Sequence, residues 1–180
     1  MRKLLILGAL TFLIVAPAKA QDYPKGEVAG VYSYVRFNPG GGLSGFNCHG
    51  GGGSVAGNLN SWFGVAGEFS GCKITGLPSG ASASTYTYVF GPRITYRTTG
   101  KLEPFGEVLL GGSHATASGG GFSGSGNAFA VALGGGVDYK MTQHVAIRLI
   151  QADYLMNRSN GSTENDVRVQ AGIVYRFGGR

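Results

Sequence analysis

Residues 128–139 read AFAVALGGGVDY. Taken alternately, they separate into Phe129, Val131, Leu133, Gly135, Val137 and Tyr139 on one side, and Ala128, Ala130, Ala132, Gly134, Gly136 and Asp138 on the other. A period of two is the signature of a β-strand. Were the bulky stripe turned inward, the exposed face would be alanine and glycine with one charge, a poor surface for water, and a small barrel would be overfilled. Turned outward, it meets hydrocarbon, and the small residues with one carboxylate fill a narrow lumen. The same split sets Tyr88, Phe90 and Ile94 against Gly91, Arg93 and Arg97, and Phe63, Val65 and Phe69 against Ala66, Glu68 and Ser70. In the terminal VQAGIVYRFGGR (169–180), Val169, Ala171, Ile173, Tyr175 and Phe177 form the outer stripe.

The whole chain fits this reading. Charged residues are 13% of the sequence, against about 25% in ordinary soluble domains, and 34 of 180 residues are glycine. The N-terminus carries Arg2 and Lys3, an apolar run LLILGALTFLIVA and an A-x-A site at Ala18–Ala20. That is the form of a secretory leader, too short to span a bilayer as a helix. Residues 1–20 are therefore expected to be a cleaved signal peptide and 21–180 one domain. Without Arg2, Lys3 and Lys19 the chain holds 12 basic and 9 acidic residues, a balance of +3, and no basic block suited to nucleic acid.

Turn signals centre near Gly41, Asn60, Ser79, Gly100, Gly120, Thr142 and Asn160, at intervals of 18–22 residues. Seven turns make eight strands. Three connections are tight (NLNSW, RTTGKL, KMTQH). Four are expected to be long, small and polar (NPGGGLSGFNCHGGGG, KITGLPSGASAS, ASGGGFSGSGN, NRSNGSTEND). Short inner turns alternating with long outer loops predict an all-β, eight-stranded antiparallel up-and-down transmembrane β-barrel. Aromatics fall near the strand ends, Trp62, Tyr96, Tyr139 and Tyr175 low and Tyr86, Phe129 and Tyr154 high, as two interfacial girdles. The first strand is read with Tyr32, Tyr34 and Arg36 inside. In the seventh, Arg148 has one parity and Gln151 and Asp153 the other, so either a β-bulge brings all three inside or Arg148 snorkels from the lipid face.

The chain resembles the small eight-stranded barrels of the OmpA/OmpX-like outer membrane protein beta-barrel domain family. The resemblance is carried by GVYSYVRF, NLNSWFGVAGEFSG, FGPRITYR, PFGEVLLGG, GGGVDY, RLIQADY and GIVYRF. It implies residence in the outer membrane of a Gram-negative bacterium, contact with membrane lipid and lipopolysaccharide, and insertion by periplasmic chaperones and the barrel assembly machinery. Gln170, Gly172, Tyr175 and Phe177 are similar to that machinery's terminal signal, although Gly178, Gly179 and Arg180 follow. A monomer without cofactor or metal is expected, and no wall-tethering segment is read.

Two groups of residues stand out. Cys48 and Cys72 each lie 12 residues from Asn60, which in a regular hairpin opposes them on one face, within disulfide range in an oxidising compartment. Zinc would lack a fourth ligand beside Cys48, His49 and Cys72. Arg93 and Glu107 are symmetric about Gly100, so they should be cross-strand neighbours in the lumen. With Glu68 they form an expected polar cluster, which Asp138, Arg168 and Gln170 can join. Such a cluster reads as a plug; a gate for a narrow pore is the alternative. A lipid-modifying enzyme needs His beside Ser and a carboxylate. Ser113–His114 lies at a suitable height, but neighbours in a strand point to opposite faces. Non-enzymatic structural or surface-interaction work is the first expectation, a diffusion pore the second and lipid chemistry the third.

Overall fold

The computed structural model describes residues 23–37, 45–75, 77, 80–97, 99–159 and 161–179, with only the backbone at Phe122. The expected leader at 1–20 and the turn centres Gly41, Ser79 and Asn160 lie outside them. The described chain forms β1 (Gly26–Phe37), β2 (Phe46–Asn58), β3 (Phe63–Ile74), β4 (Ser82–Thr95), β5 (Leu102–Gly119), β6 (Phe122–Lys140), β7 (Val145–Ser159) and β8 (Ser162–Phe177). Each pairs antiparallel with the next, and β8 returns to β1 from Gly26↔Phe177 to Arg36↔Val167, closing the barrel. Closure leaves no sheet edge with unpaired amides, the condition for a sheet to cross hydrocarbon.

The inner turns are held by side chains that take over the work of a missing strand partner. Asn60 Oδ1 accepts from the Trp62 and Phe63 amides at 2.9 and 2.7 Å, and Thr142 Oγ1 accepts from the His144 and Val145 amides at 3.2 and 3.0 Å.

Two outer connections expected to be long are hairpins instead. β5 and β6 run to the two-residue turn Gly120–Gly121, both at positive φ, 59° and 83°. β7 and β8 reach Ser159 and Ser162, with Gly161 at φ 83°. Gly120–Gly121 and Gly161 supply the positive φ that a tight hairpin turn needs, and here that outweighs polarity. FNCHGGGG is likewise strand, which moves His49 from an expected loop onto β2.

The bulky stripes face outward: Phe90 is 68% and Leu133 55% exposed. The stripe of Ala130, Ala132 and Asp138 is buried. Strand one has the parity opposite to that expected. Ala29, Ser33, Val35 and Phe37 point in, and Tyr32, 57% exposed, points out with Arg36. The cause is Glu27, whose carboxylate requires the cations of the lumen and so sets the odd positions inward. On β7 a bulge at Leu149–Ile150 separates Arg148↔Gly172 from Gln151↔Gln170. Leu149 and Ile150 are exposed while Arg148, Gln151 and Asp153 are all buried.

The outer half of the lumen carries an apolar cluster beside the buried Ser113 and Asp166 and the half-buried Asn157. Val35, Phe37, Cys48, Val89, Leu109 and Leu155 cluster there with Phe46, Cys72 and Ile74, and the Phe37 and Phe46 rings stack at 5.2 Å. Cys48 and Cys72 are bonded, with Cα atoms 5.5 Å apart. Their register is diagonal: Cys48 faces Ile74, and Cys72 faces Gly50. The strands pivot one residue beyond Asn60, so the expected direct opposition is displaced by two while the shared face is kept.

Candidate functional site

Seven of the nine acidic residues, Glu27, Glu68, Glu103, Glu107, Asp138, Asp153 and Asp166, are buried inside the barrel. Strand alternation aims them there, and small residues make the room. A Cβ on Gly134 would meet the Asp153 carboxylate at 2.4 Å, and one on Gly136 would meet the Phe105 ring at 2.8 Å.

Gln151, with 0% exposure, lies at the centre. Its Nε2 donates to Glu68 Oε1 at 2.8 Å, to Glu107 Oε1 at 2.9 Å and to Asp153 Oδ2 at 3.1 Å. Its Oε1 accepts from Arg148 Nη1 at 2.8 Å. One amide thereby joins three carboxylates from three strands to a guanidinium, which an acid or a base alone cannot do. Around it, Arg93 pairs with Glu107 at 2.7 Å and reaches Glu68 at 3.9 Å. Arg168 pairs with Asp153 at 2.7 Å and with Glu68, and donates to Ser70 Oγ at 3.2 Å. Arg148 pairs with Asp138 at 2.9 Å. The Phe105 ring lies between the Arg93 and Arg148 guanidiniums, 4.7 and 4.5 Å from its centroid.

A second set continues toward the inner mouth. Arg176 pairs with Glu103 at 2.7 Å and approaches Asp138 at 3.6 Å and Glu27 at 3.8 Å. Glu27 pairs with Arg97 at 2.6 Å. Asp138 belongs to both sets and makes them one chain of charges along the lumen.

Of the residues expected in the cluster, Glu68, Arg93, Glu107, Asp138 and Arg168 meet in this chain. Gln170 is buried beside it on β8, but its Oε1 has no hydrogen-bond partner among the described residues. The residues that sequence reasoning left out are Gln151, Asp153 and Arg148, withheld by the ambiguous parity of β7, together with Glu27, Glu103, Arg97, Arg176 and Phe105. Arg97 and Arg176 already had inward parity; their partners had no symmetric turn to reveal them.

The remaining candidates are placed as follows. Trp62, Tyr86, Tyr96, Phe129, Tyr154 and Tyr175 are exposed on the outer surface and Tyr139 partly so. In the terminal strand Gln170 points inward, whereas Tyr175 and Phe177 face outward at the inner end. Ser113 lies inside and donates to Asn157 Oδ1 at 2.9 Å; His114, on the other face, contacts Asn127 Oδ1 at 2.7 Å. They do not pair.

A closed eight-stranded barrel, apolar outside and ion-paired within, is an outer-membrane barrel. Residues 5–177 match the family described as outer membrane protein beta-barrel domain, and the chain belongs to that family and resides in the bacterial outer membrane. Among solved structures it is similar to Neisserial surface protein A (16% identity, 85% of this chain and 97% of that one, TM-score 0.69). It is also similar to Ail, the attachment invasion locus protein of Yersinia pestis (21%, 86% and 99%, TM-score 0.64). Ail in complex with the heparin analogue sucrose octasulfate matches comparably (21%, 85% and 99%, TM-score 0.61). No curated protein matches the sequence.

Proposed function

We propose that this chain is a non-enzymatic barrel with a structural or surface-interaction role, its lumen filled by side chains and any specificity carried by its outer end. The observation that supports the reading is the continuous charge network from Arg97 and Glu27 to Arg168, capped on the outer side by Val35, Phe37 and Leu155. An eight-stranded barrel has width for side chains and little else, and each ion here would lose its partner if the strands parted to admit water. A role at the cell surface is in keeping with the printed description of Ail as an attachment invasion locus protein. The separation of Ser113 from His114 argues against a hydrolytic dyad. The leader at 1–20 is removed on export, the chain acts as a monomer, and Gln170, Gly172, Tyr175 and Phe177 serve as its assembly signal.

Planar-bilayer recording tests the filled lumen. Wild type is expected to give no large, stable conductance, and Glu68→Ala to add brief openings. A large steady conductance from wild type would establish the diffusion pore instead. Released acyl chains, detected by mass spectrometry after incubation with lipopolysaccharide, would establish the enzyme.

A further inference from the structure

The network that fills the lumen withdraws acid from everywhere else. Among the described residues every carboxylate has inward parity, seven buried in the lumen and Glu164 exposed at its outer mouth beside Phe37 and Asn157, while Arg36, Lys73 and Arg158 are exposed toward the outer end. Two of those cations meet on one sheet face. Arg36 is in register with Asn47 on β2, and Tyr34 with His49, which is in turn in register with Lys73 on β3. All point away from the lumen, because their neighbours Val35, Cys48 and Cys72 point into it.

The cluster is held together. Arg36 Nη1 and the Tyr34 hydroxyl both donate to Asn47 Oδ1, at 2.7 and 2.9 Å. The Tyr32 hydroxyl meets His49 Nδ1 at 2.6 Å, and the Tyr34 and His49 rings lie 5.1 Å apart. Neither Arg36 nor Lys73 forms an ion pair among the described residues. On the same face, toward the membrane interior, the chain opens a lipid-facing groove of about 490 Å3 between Val28, Val55, Phe69 and Phe90, floored at Gly53 and Gly67. A Cβ at the neighbouring Gly30 would meet nothing within 4 Å.

We propose that the outward face of β1–β3 binds one phosphate-bearing lipid of the outer leaflet, its phosphate held by Arg36, Lys73 and His49 and one acyl chain lying in the groove below. Cations without carboxylate partners take an anion with charge-assisted hydrogen bonds. The apolar groove, in line with them along the strands, asks for a chain attached to that anion. The occupant is a lipid rather than a soluble polyanion because a soluble ion would leave the groove unused. The site does not depend on whether the lumen conducts.

The test is native mass spectrometry of the folded, detergent-solubilised full chain, titrated with lipid A carrying its phosphates, with dephosphorylated lipid A and with phosphatidylcholine. Wild type is expected to retain one phosphorylated lipid A. The double variant Arg36→Gln/Lys73→Gln is expected to bind it at least about tenfold more weakly, the loss of one to two charge-assisted contacts. Gly53→Leu, which fills the groove, should weaken the same lipid with both cations intact. Folding of each variant is checked by heat-modifiable migration, and Tyr32→Phe provides a milder variant that keeps both cations. Equal retention by wild type and the double variant, or equal retention of the dephosphorylated lipid, overturns the proposal. Tight binding of sucrose octasulfate that depends on Arg36 and Lys73 and is indifferent to Gly53→Leu also overturns it, in favour of a soluble polyanion. A dimer lost in the double variant overturns it in favour of a second copy.

Discussion

Gln151 occupies a position where a charge of either sign would be wrong. Its amide donates toward Glu68, Glu107 and Asp153 and accepts from Arg148. Gln151→Glu, nearly identical in shape, would put a fourth carboxylate among three. It is expected to cost on the order of 3–5 kcal/mol, as breaking a buried ionic arrangement does, and more than Gln151→Ala. Urea unfolding in lipid vesicles, followed through the single tryptophan, Trp62, reads the difference; equal midpoints for wild type and Gln151→Glu would refute this account of the amide. How far such residues were legible depended on local symmetry. Arg93 and Glu107 could be paired from the sequence because they flank Gly100 evenly and their hairpin is regular there. Gln151 could not, because the two outward residues Leu149 and Ile150 break the alternation that parity reasoning relies on. Strand one departs from its expected parity for a different reason. Tyr32 and Tyr34 serve either face, and the residue that decides the matter, Glu27, stands at the strand's edge.

Among the strands, β2 differs from the rest. It carries no charged side chain into the lumen, and among the described contacts only Asn58, at its inner end, reaches the charge network, donating to Glu27 Oε1 at 3.3 Å. Its outer half is fixed to β3 by the Cys48–Cys72 bond. With the cysteines separated by 24 positions in sequence, loss of the bond is expected to cost about 3 kcal/mol. Cys48→Ser/Cys72→Ser should therefore lower the urea midpoint more than a similar change on the outer face, and the unfolded, non-reduced wild type should show no reactive thiol. The pairing was readable from the equal distances to Asn60; the diagonal offset was not, since it arises from how Asn60 folds back on Phe63. The outer hairpins carry the opposite lesson. Their small polar residues suggested open loops, yet Gly121 at φ 83° is a conformation that L side chains rarely adopt. Gly121→Val is expected to loosen the β5–β6 tip, seen as faster proteolytic cutting there with the barrel intact.

For the molecule as a whole, the orientation of its two surfaces is the property on which the others rest. Leu133, in the middle of the outward stripe of β6, faces lipid. Leu133→Arg should cost about 2–4 kcal/mol near the bilayer midplane, measured as the shift in vesicle-unfolding midpoint; an unchanged midpoint would place Leu133 elsewhere. That orientation was legible in the sequence, because low charge, alternation and regular turn spacing all agree with it. That Glu68 and Arg168 share one cluster was legible by parity; that they bond directly was not, since they are 100 residues apart.

The seam between β1 and β8 has a consequence for the order of events. Strand β1 is made before its partner from Val167 to Phe177, with six strands synthesised between them. Until that segment arrives, the nascent sheet keeps two raw borders whose amides hydrocarbon will not tolerate. The ring therefore cannot be laid into the bilayer stave by stave as synthesis proceeds. The chain must be kept unfolded and then closed in one act, and a product broken off after β7 has no stable place in the membrane.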